Sequence, residues 1–489
     1  MQGLPTELKV QKKFNLSSKK DIEKFGLEKF IKECIKFASE NAKIMDKDLE
    51  RLGVWMDFEN AYWPITNDFI EGEWWFIKRA WEQKRLYKGK KIMHWCSSCE
   101  TSLAKHELEY KNLRDDSIFL KFKTIDGKYL IIWTTTPWTI PFNLAIMVHP
   151  EVDYVSIKVE NEIWIIAKDL VENLMKLIGK KYKILETFKG KKLKGLSYKH
   201  PFEKEVNYGI LKKKSKNIHT IVLSKDYVNT ESGSGLVHCA PGCGPEDYEV
   251  GKENEIEPFN TLDEKGIFEE VFEGLKAKID DDKFIELLDE TGALIAKTPV
   301  NHEYATCWRC HHPVIFRATE QWFLKIEDLI PLMLKINKSV GWQPAYTSKN
   351  YDLWIKNLKD NGITRQRYWG APIPIWTCDN KDCDSFEIIG SENELKTKSI
   401  NKKIPEDLHK PWIDSVKLKC PKCKSKMSRI PDVIDVWIDS GTASWNCLYY
   451  PKTKKYWDMF PADFILEATE QIRLWFSMLQ ICSAVAFKK

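Results

Sequence analysis

Apolar positions repeat with a helical period in the first ninety residues of the chain. Between residues 17 and 52, lysine and glutamate fill the face opposite this apolar stripe, and Ser17 or Ser18 can cap the start. The stripe consists of Ile22, Phe25, Phe30, Ile31, Cys34, Ile35 and Ala38. A second amphipathic segment runs from Phe69 to Lys88. The pattern predicts two helical segments in this part of the chain.

The hydrophobic period changes to two after residue 116. Residues 118–123 and 129–133 alternate and are separated by Asp126-Gly127, which is typical of a hairpin turn. Residues 154–159 and 163–167 predict a second hairpin, and Asp169 to Leu177 a helix. We therefore expect residues 116–300 to form a strand-rich domain, after which helices and buried strands return.

Eight of the thirteen cysteines form four close pairs: Cys96 and Cys99, Cys307 and Cys310, Cys378 and Cys383, and Cys420 and Cys423. A tetrahedral zinc ion binds four thiolates, and each close pair of cysteines, called a zinc knuckle, supplies two of them. The two later pairs predict a compact ribbon at 376–430. The two earlier pairs can share one metal only if the strand-rich domain is inserted between them. We predict two structural Zn²⁺ sites; disulfides and redox-active thiols are the alternatives.

Two polar motifs lie at predicted element borders. One is Trp133-Thr-Thr-Thr-Pro-Trp-Thr-Ile-Pro-Phe-Asn143, and the other is Val237-His-Cys-Ala-Pro-Gly-Cys-Gly-Pro-Glu-Asp-Tyr248. Core packing does not require this concentration of hydroxyls, turn residues and ionisable groups, so the motifs predict a reactive pocket. The structural alternatives are a turn cap for Thr136 and a buried core imidazole for His238.

Three more motifs follow in the last third of the chain. Residues 363–376 contain two arginines around a glutamine, which could bind phosphate or carboxylate or simply lie on the surface. Residues 432–441 read Asp-Val-Ile-Asp-Val-Trp-Ile-Asp-Ser-Gly. Residues 464–476 predict a buried strand that runs into a helix, with Glu467 at the carboxyl end of the strand, where ligands bind in doubly wound sheets.

Composition narrows the class of protein. The 489 residues are 43% hydrophobic and 30% charged, and no apolar run approaches the ~20 residues of a membrane span. The first residues also lack the pattern of a secretory signal, so we expect a cytoplasmic protein of several domains without a membrane anchor. The net charge of +5 permits nucleic-acid binding but does not argue for it, because a basic surface must be local to matter.

The motifs, taken in chain order, resemble those of the class I aminoacyl-tRNA synthetases of the branched-chain group, and most closely those of the isoleucyl members. Valyl members are the nearest alternative, and leucyl members fit less well. The resemblance implies an α/β protein: an incomplete Rossmann-like, doubly wound catalytic domain with an inserted β-rich editing domain and zinc-ribbon insertions. The resemblance implies six segments. Residues 1–95 form the N-terminal part of the catalytic domain, residues 96–115 the first zinc knuckle and residues 116–300 the editing domain. Residues 301–375 return to the catalytic domain with the second zinc knuckle, residues 376–430 form the zinc-ribbon insertion, and residues 431–489 form the second part of the catalytic domain.

The resemblance also implies a function. It is ATP-dependent ligation of isoleucine to tRNA-Ile, with hydrolytic editing of mischarged Val-tRNA-Ile. The implied partners are tRNA-Ile, isoleucine, ATP and Mg²⁺, and the implied state is a monomer. Isoleucine and valine differ by one methylene, worth only about 1–3 kcal/mol in an apolar pocket, so accuracy needs a second, hydrolytic site.

Residue roles follow from the same resemblance. In the editing site Asp247 would bind the α-ammonium group, and His238 would narrow the side-chain pocket. The residues that would line that site and position water are Thr134, Thr135, Thr136, Thr139 and Asn143. The implied substrate-binding residues of the catalytic domain are Pro5, Trp437, Glu467, Gln471 and Trp475, with Glu467 on the adenosine ribose. Ala468 and Leu474 stand where the family commonly has glycine.

Two signature motifs of the family, His-x-Gly-His and Lys-Met-Ser-Lys-Ser, do not occur in the sequence. Residues 426–429 read Lys-Met-Ser-Arg but lie within the predicted ribbon. We therefore expect the chain to be an internal fragment that edits but does not form the adenylate. The alternative is a natural stand-alone, zinc-stabilised module for trans-editing or RNA binding.

Overall fold

The computed structural model describes residues 3–103, 107–453 and 456–488 of the chain. It divides into two compact units. Unit 1 comprises residues 1–89 and 320–489, and unit 2 comprises residues 90–319. Within the described ranges, no helix combines the length and the apolar character that crossing a bilayer requires.

Both units contain helices and strands. The chain begins with α1 (Leu4–Lys13), α2 (Lys19–Phe25), α3 (Leu27–Arg51), α4 (Asn67–Glu82) and β1 (Leu86–Cys96). Unit 2 continues with β2 (Thr101–Leu103), β3 (Leu108–Thr124), β4 (Tyr129–Thr134), β5 (Ala145–Val148), β6 (Asp153–Val159), β7 (Glu162–Ala167), α5 (Val171–Ile178), β8 (Lys183–Lys189), β9 (Tyr198–Lys199), α6 (Gly209–Lys214), β10 (Thr220–Leu223), β11 (Leu236–Cys239), α7 (Pro245–Glu253), α8 (Asp281–Glu290) and β12 (Leu294–Cys307). The chain returns to unit 1 through β13 (Ile315–Leu324), followed by α9 (Ile330–Asn337), α10 (Thr347–Lys356), β14 (Asn361–Gly362), β15 (Thr364–Arg365), β16 (Ile375–Cys378), β17 (Phe386–Ile388), α11 (Glu392–Lys398), β18 (Leu418–Lys419), β19 (Lys426–Arg429), β20 (Val433–Ile434), α12 (Val436–Asn446), α13 (Tyr456–Met459) and α14 (Trp475–Phe487).

The predicted helix over residues 17–52 is confirmed, with one interruption. The Ser18 hydroxyl accepts the backbone N–H of Asp21, so Ser18 is the cap. Gly26 divides α2 from α3 because its φ of 99° is incompatible with a continuous helix. The second amphipathic segment ends earlier than its pattern suggests: Lys84 adopts a φ of 57°, and the chain enters β1 two residues later.

Unit 2 is built around a mixed sheet with the strand order β12-β3-β4-β7-β6-β8, in which β9 also pairs with β3. Both predicted hairpins are confirmed: β3 pairs with β4 from Ile118 opposite Thr134 to Lys123 opposite Tyr129, and β6 pairs with β7. A second sheet, β10-β5-β11, carries β11 antiparallel to β5. Buried apolar clusters cover both faces of the larger sheet, so unit 2 has its own core.

The predicted α/β fold class is confirmed, since α4, α12 and α14 of unit 1 pack around small sheets. The ribbon forms the antiparallel sheet β17-β16-β19-β18. The predicted buried strand at 464–467 is wrong: this segment has no regular structure, and Phe464 and Leu466 are each 78% exposed. Among the described residues no strand pairs with it, so its apolar side chains have no sheet against which to be buried.

Candidate active site and metal centres

The threonine motif folds into a hydrogen-bonded turn at the end of β4. The backbone N–H of Thr136 donates to the Thr134 hydroxyl at 3.1 Å, and the two hydroxyls lie 3.2 Å apart. A 3-10 helix, Pro137–Phe142, follows. In its first turn the Thr139 hydroxyl donates to the carbonyl of Thr136 at 2.7 Å and lies 3.2 Å from its hydroxyl. The spacing of the motif therefore places the three hydroxyls in a continuous series of contacts, which we call the threonine line.

His238 extends this line from the neighbouring strand β11. Its Nε2 lies 3.0 Å from the Thr139 hydroxyl. Burial lowers the pKa of His238 to about 4, so the imidazole is neutral at pH 7. No partner for its buried Nδ1 is found in the described part of the chain. A neutral imidazole can exchange a hydrogen bond with Thr139 but brings no positive charge to the site.

Asp247 occupies the first turn of α7, close to the end of the same strand. Its Oδ2 accepts the backbone N–H of Ala240 at 3.1 Å, and Ala240 follows His238 by two residues. Burial raises the pKa of Asp247 to about 7; the Ala240 N–H opposes this shift, and the carboxylate of Glu246 adds to it. Within the described residues no basic side chain is among the groups that shift the pKa of Asp247. A half-buried carboxylate in this state favours a cationic ligand.

The glycine before α7 is required by the position of Asp247. A Cβ on Gly244 would lie 2.9 Å from the Asp247 Oδ2 atom, closer than side-chain atoms normally approach. The Gly-Pro-Glu-Asp sequence therefore serves two purposes. Pro245 begins the helix, and Gly244 leaves room for the carboxylate to fold back onto the Ala240 N–H.

Thr135 and Asn143 differ in their surroundings. Thr135 is half-buried at the turn. Asn143 is completely buried, its amide donates to the carbonyl of Ala145 at 2.8 Å, and its Oδ1 accepts the Tyr198 hydroxyl at 2.6 Å. The structure therefore places the Asn143 side chain beneath the turn, where it holds the backbone.

Two buried side chains that the sequence did not reveal support the 3-10 helix from below. The Tyr208 hydroxyl donates to the carbonyl of Pro141 at 2.7 Å, and His200 Nε2 lies 3.0 Å from the carbonyl of Ile140. Burial holds the pKa of His200 well below its usual value, so it is neutral and can donate to this carbonyl. No spacing relates residues 200 and 208 to residues 137–142, so only the tertiary contact identifies them.

We predict that Tyr208→Phe lowers the unfolding free energy of the chain by about 1–3 kcal/mol, because the buried carbonyl of Pro141 loses its donor. The measurement is urea denaturation followed by circular dichroism. Tyr227→Phe is the matched control, since Tyr227 is 42% exposed and the change should be neutral. Equal unfolding midpoints for both variants would contradict a role of the Tyr208 hydroxyl in holding the turn.

The eight paired cysteines assemble into two clusters, as the spacing predicts. One contains Cys96, Cys99, Cys307 and Cys310, and the other contains Cys378, Cys383, Cys420 and Cys423; within each cluster the sulfur atoms lie within 4.8 Å of one another. Four thiolates around zinc at about 2.3 Å have sulfur–sulfur separations of about 3.8 Å. The Cys96–Cys310 and Cys383–Cys420 pairs are at 3.4 and 3.8 Å. Each donor set therefore fits a tetrahedral structural Zn²⁺ with no open position.

The side chains expected to bind substrate in unit 1 are only partly brought together. The Trp475 indole N–H donates to the carbonyl of Ser440 at 3.0 Å, which places it beside the helix that carries Trp437. Gln471 Oε1 accepts the backbone N–H of Trp475 at 3.2 Å. Glu467 lies in the irregular, exposed segment, and Pro5 is exposed in the first turn of α1.

The arginine motif at 363–376 is interior. Arg365 is 4% exposed, and its guanidinium forms an ion pair with Asp435, which also caps α12. The alternative prediction, that this arginine lies on the surface, is therefore wrong. The guanidinium binds a carboxylate, as its planar geometry permits, but the carboxylate belongs to the protein.

Comparison with known proteins gives one family and a set of close relatives. The family model for class I tRNA synthetases (I, L, M and V) matches residues 1–489. The chain is 43% identical to the isoleucine–tRNA ligase of Pyrococcus abyssi, a match that covers 100% of this chain and 48% of that protein. It is 41% identical to that of Methanothermobacter marburgensis, over 99% of this chain and 46% of that protein.

Among solved structures, a LeuRS ternary complex from Agrobacterium radiobacter aligns with 16% identity and a TM-score of 0.37, over 100% of this chain and 55% of that chain. That score is too low to support any statement about this chain. The chain spans about half the length of the curated relatives it matches.

Proposed function

The chain belongs to the class I tRNA synthetases of the I, L, M and V group, and on that premise we propose that it is part of an isoleucine–tRNA ligase whose unit 2 hydrolyses mischarged Val-tRNA-Ile. The identity of 41–43% to isoleucine–tRNA ligases supports isoleucine, tRNA-Ile and ATP as substrates of the whole protein. One observation carries the hydrolytic part: the series of three threonine hydroxyls ends on a neutral imidazole, and the Asp247 carboxylate binds the backbone two residues after that imidazole.

Asp247 is the residue that binds the amino acid. The α-ammonium group of an aminoacyl ester is a cation, and the half-buried carboxylate supplies the opposite charge. Ammonium binding lowers the pKa of Asp247 from about 7, so binding stabilises the ionised form at neutral pH. The carboxylate thereby holds the ester in one orientation at the end of β11.

The threonine hydroxyls act on the ester bond. A hydroxyl both donates and accepts, so Thr136 can donate to the oxygen on which charge develops, while Thr139, whose proton is on the carbonyl of Thr136, can accept from the water. The water adds to the ester carbonyl, the bond to the ribose oxygen breaks, and the proton that the water loses ends on that oxygen. His238 orients Thr139 through their 3.0 Å contact. Because its pKa is about 4, His238 is only a weak base, and its main role is to shape the side-chain pocket.

The two four-cysteine clusters support the architecture. We propose that each holds a structural Zn²⁺, which ties its two knuckles together. The sequence contains neither His-x-Gly-His nor Lys-Met-Ser-Lys-Ser, the motifs that stabilise the triphosphate in this family. We therefore propose that this chain by itself edits and does not activate isoleucine. A valyl specificity and a stand-alone trans-editing module are the competing proposals.

Hydrolysis of Val-tRNA-Ile and Ile-tRNA-Ile by the purified chain tests the proposal. We expect release of valine in preference to isoleucine. Thr-tRNA-Val as the preferred substrate would move the assignment to the valyl enzymes. Failure to hydrolyse any of the three esters, with zinc bound and the chain folded, would refute the hydrolytic function.

We predict that His238→Ala gains activity toward Ile-tRNA-Ile, because removal of the imidazole widens the side-chain pocket by more than one methylene. The preference for valine should fall by about tenfold or more, in line with about 1–3 kcal/mol per methylene. The measurement is the ratio of the two deacylation rates. His238→Phe is the matched control: it keeps the bulk and loses the hydrogen bond to Thr139. If the phenylalanine variant also accepts isoleucine, pocket size is not what His238 determines.

A further inference from the structure

Positive charge is concentrated in one segment of unit 2. Residues 180–216 contain thirteen lysines and three glutamates, a net charge of +10, although the whole chain carries only +5. The rest of the chain is therefore net negative. A local positive charge of this size is typical of nucleic-acid-binding surfaces, and the net charge of the whole chain does not show it. The thirteen lysines are Lys180, Lys181, Lys183, Lys189, Lys191, Lys192, Lys194, Lys199, Lys204, Lys212, Lys213, Lys214 and Lys216.

All thirteen lysines are exposed. They lie on β8, which is the edge strand of the large sheet, on β9, on the short helix α6 and on the connections between them. Tyr182, in the same segment, is 39% exposed. We call this set of exposed side chains the lysine surface. It offers many charges and an aromatic ring to a partner, and no long amphipathic helix that could lie in a lipid interface.

Two pairs of lysines face each other across strands. Lys199 of β9 is directly opposite Lys123 of β3, and Lys183 of β8 is directly opposite Lys158 of β6. Like charges in directly opposed positions destabilise a sheet. Bound anions would remove this repulsion, so the pairing favours a ligand with several negative charges.

Most of this charge is not neutralised by the protein. Five lysines form ion pairs with carboxylates: Lys180 with Glu160, Lys189 with Asp153, Lys192 with Glu186, Lys212 with Glu203 and Lys214 with Glu257. For the other eight, the described residues include no carboxylate within 4.0 Å. These eight ammonium groups remain available to an anionic partner.

The lysine surface is connected to the threonine turn. His200 follows Lys199 directly, and Tyr208 precedes α6, which carries three of the lysines. Both side chains contact the carbonyls of the 3-10 helix that holds Thr139. The same segment therefore carries the charge on its outside and supports the candidate active site on its inside.

We propose that the lysine surface, with Lys123 and Lys158, binds the phosphate backbone of the RNA whose 3′ end enters the threonine site. This inference rests on the proposed hydrolytic function, because it assumes an aminoacylated RNA as the substrate. The phosphates lie along exposed ammonium groups on β8, β9 and α6, and Tyr182 is available to stack on a base. Binding is electrostatic and independent of base sequence.

The test is a fourfold variant of the full chain, Lys199→Gln, Lys204→Gln, Lys213→Gln and Lys216→Gln, titrated against transcribed tRNA-Ile at several KCl concentrations. We expect an affinity loss of about tenfold or more at moderate salt. The slope of log affinity against log salt should fall by about 3, because each of the four lost phosphate contacts contributes about 0.7–0.9 to it. The matched control is Lys9→Gln, Lys24→Gln, Lys43→Gln and Lys47→Gln in unit 1, which changes the net charge equally and should retain affinity.

Two outcomes overturn the proposal: an affinity of the surface variant within twofold of the unmodified chain, or an equal loss in the control. Tighter binding to vesicles rich in phosphatidylserine than to tRNA-Ile would overturn it in favour of a membrane. Equal thermal midpoints exclude misfolding as the cause. A deacylation assay separates this inference from the proposed function. If the chain hydrolyses the ester and the lysine substitutions do not change tRNA binding, only the proposed RNA-binding role of the lysine surface is refuted. If binding depends on the lysines but the ester is not hydrolysed, only the proposed hydrolytic function is refuted.

Discussion

From the proposed hydrolytic function we expect Asp247→Asn to abolish hydrolysis of Val-tRNA-Ile and at the same time to stabilise the folded chain above pH 7. Hydrolysis is lost because a neutral amide supplies no charge to the α-ammonium group of the ester. A loss of at least about a hundredfold in rate is expected from removal of one buried charge–charge contact, which is worth about 3–5 kcal/mol. The measurement is single-turnover deacylation at pH 7.5.

The gain in stability follows from the raised pKa of Asp247, about 7 against 3.8 in an unstructured chain. In the folded state the carboxyl group holds its proton up to about pH 7, whereas the unfolded chain loses it near pH 4. Its contribution to stability is therefore complete at low pH and is lost as the pH rises through about 7. Asparagine has no such loss, so the variant should be more stable at pH 8 by at most about 4 kcal/mol, because each unit of difference in pKa corresponds to about 1.4 kcal/mol. At pH 4 the two proteins should unfold alike.

Glu246→Gln is the matched control for this experiment. Glu246 is exposed, adjoins Asp247 and raises its pKa, but makes no contact with the threonine turn. This variant should retain hydrolysis. An Asp247→Asn variant that still hydrolyses Val-tRNA-Ile, or whose stability gain is the same at pH 4 and pH 8, would contradict the role of the buried carboxylate.

Cys307→Ser lowers the zinc content from two ions per chain to one and destabilises unit 2. Cys307 is completely buried at the end of β12, and its cluster joins that strand end to the end of β1, about two hundred residues earlier in the chain. Zinc binding to small structural sites contributes about 10–16 kcal/mol, comparable to the whole stability of a typical domain. Loss of one ligand is therefore expected to open the knuckle and lower the unfolding temperature by many degrees.

Elemental analysis of the purified variant, combined with a thermal melt, checks this result. Cys447→Ser is the matched control, because Cys447 is exposed and belongs to neither cluster. It should keep two zinc ions and an unchanged melt. A Cys307→Ser protein that still contains two zinc ions would show that the first cluster is not a metal site.

The elements that could be predicted are those whose signal is local. The hairpins of β3–β4 and β6–β7 follow from alternation around a short turn, and Ser18 caps its helix through its own neighbour Asp21. The line from Thr134 to Thr139 also forms within six residues. Cysteine spacing predicted the partners of both clusters because a metal with four thiolates leaves few ways to combine four knuckles.

The failures concern burial, which depends on neighbours far along the chain. The apolar run at Phe464 was predicted to be a buried strand, but it is exposed because no described strand lies beside it. The sequence allowed Arg365 either to bind a ligand or to lie on the surface, but its guanidinium binds Asp435, seventy residues later in the chain. The supports of the threonine turn, His200 and Tyr208, were not predicted at all.

The sequence by itself determined the local elements, the cysteine sites and the family, since each is written in residues that are near one another or in a fixed order. Only the tertiary structure decided the chemical state of the candidate site. The neutral imidazole of His238 and the raised pKa of Asp247 both arise from burial by distant segments. The tertiary structure also placed lysines of separate strands directly opposite each other in two pairs, Lys199 with Lys123 and Lys183 with Lys158, which no linear count of charge reveals.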